Sequence, residues 1–183
     1  MRLFLGLPVP AALALDIDTW RQRNLACDGR PVPAANFHIT LGFIGEVAQG
    51  SLESLLLTID ERLAHKPGQS GALLLDELGF WPGPGIYWLG PREWPASLTR
   101  LAESLRQVAA SVGRRRDRKA FRPHITLYRG CVAPPAASLA APAQRLHYDE
   151  LCLYESRRTG EGVRYEVLES WSLGQARQVV QPR

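Results

Sequence analysis

Alternating apolar and polar positions predict two β-strands whose polar faces carry histidine and threonine. From Asn36 to Ile44, every second residue between Phe37 and Phe43 is apolar, and the segment from Phe121 to Tyr128 alternates in a similar way. Successive side chains of a strand point to opposite faces, so each segment has one apolar face and one polar face. We predict a strand over each range and expect the whole apolar face of the first, Phe43 included, to be buried.

Helical spacing of apolar residues predicts three helices between and before these strands. Apolar residues recur every three or four positions in Ser51–Leu63 and in Ser97–Val112, and a shorter pattern follows Pro10 to about Arg23. Other short apolar runs are bounded by turn residues and predict further strands. These are Arg2–Leu7, Ala72–Leu78, Ile86–Leu89, Tyr148–Glu155 and Arg164–Leu173.

The order of these elements is roughly repeated along the chain. A strand, a helix and a histidine-bearing strand come first, and the same series follows in the second half. This order predicts an α+β fold made of two similar lobes, each with a mainly antiparallel sheet and flanking helices. The length of 183 residues suits a single bilobal domain over residues 1–183, with a cleft between the lobes.

The tetrapeptide His-Ile-Thr-Leu occurs twice, once at His38 and once at His124. Residues i and i+2 of a strand share a face, so Thr40 lies beside His38 and Thr126 beside His124. Two such strands facing each other would surround one point with two imidazoles and two hydroxyls. One imidazole can accept a proton from water while the other protonates a leaving alcohol, which is what hydrolysis of a phosphodiester requires. The hydroxyls can donate hydrogen bonds to phosphate oxygens.

Other interpretations of these histidines are weaker. Either one alone could be a packing residue on a strand, but the matched context of the pair favours chemistry. A metal site is disfavoured because no carboxylate or cysteine completes a compact cluster, and we predict no metal and no cofactor. His65 and His147 lack this context, and His65 is expected to be exposed after a helix.

Composition and charge indicate a phosphate-bearing partner. The formal net charge is +4 and the pI is near 9.2, which favours RNA or a nucleotide as ligand. Five basic residues crowd the segment from Arg114 to Lys119, where they form either a solvated loop or a surface that guides RNA. No membrane span and no obligate protein partner are expected.

The three cysteines predict a cytoplasmic location. Cys27, Cys131 and Cys152 are odd in number and widely spaced, so they indicate neither a disulfide framework nor a zinc site. The apolar opening of the chain has some features of a signal peptide, but Pro8 and Pro10 interrupt it. A first strand followed by a helix that starts at proline is the favoured interpretation.

The paired His-x-Thr-x motif and its flanks resemble the two-histidine phosphoesterase superfamily, and most closely its RNA 2′,3′-cyclic phosphodiesterases, also called 2′-5′ RNA ligases. The resemblance covers nearly the whole chain. One departure is Pro31, where the family often has tryptophan, so Phe37, Tyr128, Trp81 and Trp88 become the aromatic candidates for the cleft. The segments that carry the resemblance are Met1–Leu7, Asn36–Val47, Phe121–Leu127 followed by Arg129, Leu153–Ser156 and Tyr165–Leu168.

The resemblance implies hydrolysis of a terminal 2′,3′-cyclic phosphate to a 2′-phosphomonoester, with His38 and His124 as the catalytic pair. It also implies that Thr40, Thr126 and Arg129 bind the phosphate. Simple alternation puts Arg129 on the face opposite to His124, so it reaches the site only if the strand ends or bulges there. Arg122 shares the His124 face and is a second cationic candidate.

Two other functions stay open at this point. One is ligation of RNA halves, such as tRNA halves, through a 2′-5′ bond, because the same residues catalyse a reaction in both directions. Hydrolysis is expected to dominate over ligation because water is in vast excess. The other is a non-catalytic nucleotide-binding module, which the presence of both histidines and both threonines disfavours.

Overall fold

A computed structural model describes residues 1–111, 120–134, 140–160 and 162–174 of the chain. The basic cluster from Arg114 to Lys119 therefore lies outside the described residues. No helix among the described residues is long and apolar enough to cross a membrane. In chain order the helices and strands are β1 Arg2–Pro8, α1 Ala11–Asn24, β2 Arg30–Pro31, β3 His38–Glu46, α2 Leu52–His65, β4 Gly71–Leu75, β5 Glu77–Trp81, β6 Ile86–Gly90, α3 Ala96–Ser111, β7 Ile125–Arg129, β8 Gln144–Tyr148, β9 Glu150–Thr159 and β10 Gly162–Ser172.

Two four-stranded antiparallel sheets organise the described residues. One has the strand order β10-β9-β1-β3 and the other has the order β2-β7-β6-β5, while β4 and β8 form a separate two-stranded ribbon. Each four-stranded sheet contains one of the two motif strands, β3 or β7, and these two strands contact each other. The predicted α+β class with mainly antiparallel sheets is confirmed.

One contiguous apolar cluster joins the two sheets and the helices. It contains residues from β1, β3, β6 and β7 together with residues from all three helices, and α3 packs on β3. The burial of so much apolar surface against a common set of neighbours favours a single folding unit. That residues 1–183 form one domain stays a prediction.

Two of the predicted strands differ from the structure in ways that affect the sheets or the site. The segment Ala72–Leu78 is divided between β4 and β5, which belong to different sheets. The second motif strand begins only at Ile125, so His124 lies just before it rather than within it. Pro123 has no N–H to donate to a neighbouring strand, which explains the late start of β7.

Both motif strands have a bulge, an inserted residue, at the leucine of the tetrapeptide. In β3, Thr40 pairs with Gly6 and Gly42 pairs with Leu5, so Leu41 is the extra residue. In β7, Thr126 pairs with Trp88 and Tyr128 pairs with Tyr87, so Leu127 is the extra residue. Such a bulge shifts the alternation by one, and the residue five positions after each histidine returns to the histidine face.

The bulge in β3 overturns one expectation, and the bulge in β7 meets the condition that Arg129 needs to share the histidine face. Phe43, expected on the buried face, is 49% exposed, whereas Gly42 faces Leu105 of α3. In β7, both Leu127 and Tyr128 are buried, and Arg129 shares the face of Thr126. The bulge that was required for Arg129 to reach the predicted site is therefore present.

The buried side chain of Arg21, on α1, holds the bulge of β7 in place. Its Nη1 donates to the carbonyl oxygens of Leu127 and Val32, each at 2.7 Å, and its Nη2 forms an ion pair with Asp18. The guanidinium carbon lies 5.2 Å from the centre of the Tyr128 ring and 5.3 Å from that of Phe37. A cation that is only 5% exposed is thus matched by acceptors and by two aromatic faces.

We predict that Arg21→Met destabilises the protein by about 3–5 kcal/mol, because it leaves Asp18 and the Val32 carbonyl without their partner. The denaturation midpoint in urea measures the effect. Arg23→Met is the matched control, since Arg23 is an exposed arginine on the same helix and its replacement should change stability by less than about 0.5 kcal/mol. Equal midpoints for the two variants would contradict a structural role for Arg21.

Candidate active site

Both ring nitrogens of His38 contact groups that lie two residues away in the sequence. Its Nδ1 lies 2.7 Å from the carbonyl oxygen of Asn36, and its Nε2 lies 3.0 Å from Oγ1 of Thr40. A carbonyl can only accept, so the proton of the neutral ring is on Nδ1. Nε2 then carries a lone pair, to which the Thr40 hydroxyl donates.

His124 repeats this arrangement in the second half of the chain. Its Nδ1 lies 2.8 Å from the carbonyl oxygen of Arg122, again the residue two positions upstream. The same tautomer follows, with Nε2 as the basic nitrogen. The two histidines therefore share the hydrogen bond from Nδ1 to the carbonyl two residues upstream.

Aromatic rings surround both imidazoles. The ring centre of His38 lies 4.7 Å from that of Phe4 and 5.0 Å from that of Tyr165, and the ring centre of His124 lies 4.5 Å from that of Trp81. Trp88 follows at 6.3 Å from His124. These rings exclude water from one side of each imidazole and fix its orientation.

A glycine makes room for the ring of Trp88. Gly79 of β5 pairs with Trp88 of β6, and a Cβ at residue 79 would collide with the indole. Of the aromatic residues proposed from sequence, Trp81 and Trp88 lie beside a histidine. Phe37 and Tyr128 instead pack around Arg21.

The surroundings lower the pKa of both histidines. Burial lowers the pKa of His38 to about 4, the Asn36 carbonyl partly opposes this shift, and the charges of His124 and Arg129 lower the pKa further. Burial also lowers the pKa of His124, with added lowering by the positive charges of Arg129 and Arg122. Both rings are therefore neutral at pH 7 in the unliganded protein, and each can accept a proton.

The positive charge of Arg129 acts on both histidines. Its charge lowers the pKa of His38 and of His124, although His38 lies in the first sheet and His124 just before a strand of the second. It is partly exposed and forms no ion pair with any of the residues that the structure describes. A cation next to two neutral imidazoles and without a carboxylate partner forms a ready site for an anion.

The structure places Arg122 differently from Arg129. Its guanidinium forms an ion pair with Glu77 and lies 4.8 Å from the ring centre of Trp88 and 5.7 Å from that of Trp94. Arg122 is thus near His124 but already has a carboxylate partner. Its backbone carbonyl, rather than its side chain, is the group that contacts His124.

The contacts that support His38 join it to residues outside the repeated motif. Asn36 accepts the Nδ1 proton through its carbonyl, and its side chain bonds to the backbone of Val163 at 2.6 Å and of Tyr165 at 3.3 Å. These contacts fix the start of β3 against β10. A contact between residues this distant in sequence leaves no periodic signal in the chain.

Comparison with known proteins places this site in a family. The model of the 2′-5′ RNA ligase superfamily matches residues 9–160. The chain belongs to the 2′-5′ RNA ligase superfamily. The predicted family is therefore confirmed, and the two histidine motifs lie within the matched residues.

The names of similar proteins agree with the predicted activity. The chain is 37% identical over 178 residues to the RNA 2′,3′-cyclic phosphodiesterase of Escherichia coli, covering 95% of this chain and 97% of that protein. It is 34% identical over 133 residues to the protein of the same name from Archaeoglobus fulgidus, covering 70% and 72% of the two chains.

A solved structure of the superfamily has the same fold. The crystal structure of E. coli LigT complexed with 3′-AMP matches with a TM-score of 0.83 and 34% identity, over 95% of this chain and 98% of that one. The match extends over both sheets, so the two sheets have the same arrangement in the two proteins.

We predict that Arg129→Met raises the pKa of both His38 and His124, because it removes a positive charge that disfavours their protonated forms. Titration of the histidine ring protons by NMR measures the two values. Arg145→Met, which replaces an exposed arginine of the β4–β8 ribbon, is the matched control and should leave both unchanged. If Arg129→Met moved neither value, Arg129 would not belong to the site.

Proposed function

We propose that this protein hydrolyses the 2′,3′-cyclic phosphate at the end of an RNA and releases a 2′-phosphomonoester, without a metal ion. One observation carries the proposal: two neutral imidazoles, each bonded through Nδ1 to the carbonyl two residues upstream, are both affected by one cation, Arg129. Acid–base chemistry on a phosphodiester needs two such proton-transfer groups around a site for an anion. The names of the relatives support this substrate.

In the proposed mechanism, His124 is the base and His38 is the acid. Nε2 of His124 accepts a proton from water, whose oxygen attacks phosphorus opposite the departing ribose O3′. Nε2 of His38 protonates O3′ as the P–O3′ bond breaks, which leaves the phosphate on O2′. The two imidazoles have then exchanged their protonation states, and proton exchange with solvent restores them.

Thr40, Thr126 and Arg129 are assigned to the phosphate in this proposal. The two hydroxyls follow their histidines by two residues, and Arg129 returns to that face through the bulge in β7. Their hydrogen bonds would strengthen as negative charge accumulates on the equatorial oxygens. Arg122 is not assigned to the phosphate, because its Nη2 already forms an ion pair with Glu77.

The low pKa of His38 requires that the substrate itself promote protonation of the acid. Burial is the main cause of the lowered pKa of both histidines, and the charge of Arg129 adds to it; an anion bound beside Arg129 would offset that added charge. Binding and protonation are linked, so substrate binding should raise the pKa of His38 toward neutrality. The free site therefore remains uncharged at its histidines until an anion occupies it.

The same site supports 2′-5′ ligation as a second candidate function. The family model carries that activity in its description. An RNA 5′-hydroxyl would take the place of water as nucleophile, and the same two histidines would transfer the protons. Incubation of paired RNA halves, followed by analysis of the linkage formed, distinguishes ligation from hydrolysis.

We further propose that the protein acts in the cytoplasm on RNA ends. The side chains of Cys27, Cys131 and Cys152 are free thiols, as expected in a reducing compartment. The positive net charge favours attraction of polyanions at low salt.

We predict that His38→Ala and His124→Ala each reduce the rate of hydrolysis about 10²–10⁴-fold, the usual effect of losing one general acid or base. The assay uses a short RNA with a 2′,3′-cyclic phosphate end in the presence of EDTA and separates 2′- from 3′-phosphate products. His147→Ala is the control, since His147 is exposed on β8. Complete loss of activity in EDTA that zinc or manganese restores would refute the metal-independent mechanism, and a 3′-phosphate product would refute its geometry.

We predict that a substrate with a nitrophenyl leaving group separates the two histidine roles. Nitrophenolate departs without a proton, so the acid becomes dispensable while the base is still needed. This substrate should rescue His38→Ala much more than His124→Ala, measured as the ratio of variant to wild-type kcat. The opposite pattern would exchange the two assignments.

A further inference from the structure

Two thiols that are distant in sequence meet at the edge of the second sheet. The sulfur atoms of Cys27 and Cys131 lie 2.7 Å apart, although 104 positions separate the residues. Cys131 is 5% exposed, whereas Cys27 is only partly buried and can be reached from solvent. The wide spacing gave no sign of this pair in the sequence.

Backbone contacts hold both cysteines in this position. Arg30 of β2 pairs with Arg129 of β7, which places the segment before β2 beside the segment after β7. The N–H of Cys131 donates to the carbonyl of Gly85 at 2.9 Å, and the N–H of Val132 donates to the Asp28 carboxylate at 3.1 Å. The thiol pair therefore belongs to an ordered junction.

Gly29 leaves room for the sulfur of Cys131 at this junction. A Cβ at residue 29 would lie 2.5 Å from Sγ of Cys131 and 2.9 Å from the carbonyl oxygen of Arg129. Any larger residue would displace the sulfur or the strand. Gly29 thus allows the two thiols to approach each other closely. Cys131 follows Arg129 by two residues.

The distance between the sulfurs favours a disulfide over a metal ion. Cys27, Asp28 and Cys131 are the one group of three potential ligands near enough for a metal among the residues that the structure describes. Two thiolates on a tetrahedral zinc, with bonds of about 2.3 Å, would be roughly 3.8 Å apart. The observed 2.7 Å is much shorter than that and nearer to the bond of about 2.05 Å in a disulfide.

We propose that Cys27 and Cys131 form a redox-active dithiol that closes to a disulfide when the protein meets hydrogen peroxide. The Cys27 thiolate attacks one peroxide oxygen, the O–O bond breaks, and the products are a Cys27 sulfenic acid and hydroxide, which takes up a proton to become water. The sulfur of Cys131 then attacks the Cys27 sulfur, and the S–O bond breaks as hydroxide leaves with the thiol proton as a second water. Two thiols lose two electrons in total, and peroxide gains them.

The environments of the two sulfurs suit these different roles. Cys27 is the more exposed and is the sulfur that an oxidant can reach. Burial, followed by the hydrogen bond to Cys27, raises the pKa of Cys131 to about 12. Cys131 thus stays a protonated thiol until a neighbouring sulfenic acid forms.

The test treats the reduced full-length chain with a few equivalents of hydrogen peroxide and then blocks the remaining thiols with an alkylating agent. We expect two of the three thiols to be lost with a mass decrease of about 2 Da, and one peptide pair linking Cys27 to Cys131, all reversed by dithiothreitol. The oxidised protein should melt about 5 °C or more above the reduced protein, because the cross-link joins distant parts of the chain.

Two variants serve as controls. Cys27→Ser changes a partly exposed residue and should abolish both the cross-link and the shift in melting temperature. Cys152→Ala should keep both, because Cys152 lies in β9 of the other sheet. Neither readout involves RNA hydrolysis, so failure here is distinct from failure of the proposed function.

Two results would overturn the proposal. The first is recovery of folded protein in which Cys27 is oxidised to sulfinic acid while Cys131 remains a free thiol. The second is stoichiometric zinc binding by the reduced protein that Cys27→Ser abolishes and that blocks the reaction with peroxide, which would identify the pair as metal ligands.

Discussion

The arrangement of the two motif strands depends on the buried guanidinium of Arg21. It contacts the ring of Phe37, which immediately precedes His38, and the ring of Tyr128, which immediately precedes Arg129. It also donates to the carbonyl of Leu127 at the bulge. A buried charge is tolerated only where its partners stay in place, so one side chain of α1 fixes the approach of both strands to the site.

The electrostatic surroundings of the two histidines oppose what the proposed reaction requires of them. Burial and the charge of Arg129 both disfavour protonated histidines, yet the proposed reaction needs one of them protonated. The same low-polarity surroundings strengthen any interaction between Arg129 and an anion. A site of this kind gains most from a ligand that brings its own negative charge, which a cyclic phosphate does.

Much of the fold could be predicted from the chain because periodicity and turn residues act locally. The helices over Leu52–His65 and Ala96–Ser111 lie within one or two residues of their predicted bounds. The bulges at Leu41 and Leu127 could not be predicted, because an inserted residue depends on the register with a partner strand. Consequently the exposure of Phe43 was predicted wrongly.

The candidate site was predicted in outline for a similar reason. A repeated tetrapeptide is visible in sequence, and the face shared by His38 and Thr40 follows from strand geometry. The side-chain contacts of Asn36 with β10, the ion pair of Arg122 with Glu77 and the contact of Cys27 with Cys131 all join residues that the pattern does not connect. Such contacts are set by packing, so only the folded chain reveals them.

The equivalent bulges expose a difference between two otherwise matched halves. Five positions after His38 stands a phenyl ring, Phe43, and five positions after His124 stands a guanidinium, Arg129. Two identical halves would accept a cyclic phosphate in two orientations of equal energy, and each orientation would present a different ribose oxygen to the acid. A ring able to stack on a base and the cation that we assign to the phosphate would remove this degeneracy. In the proposed reaction, the choice between 2′- and 3′-phosphate therefore depends on Phe43 and Arg129, at which the two halves differ. It does not depend on the histidine pair that they share.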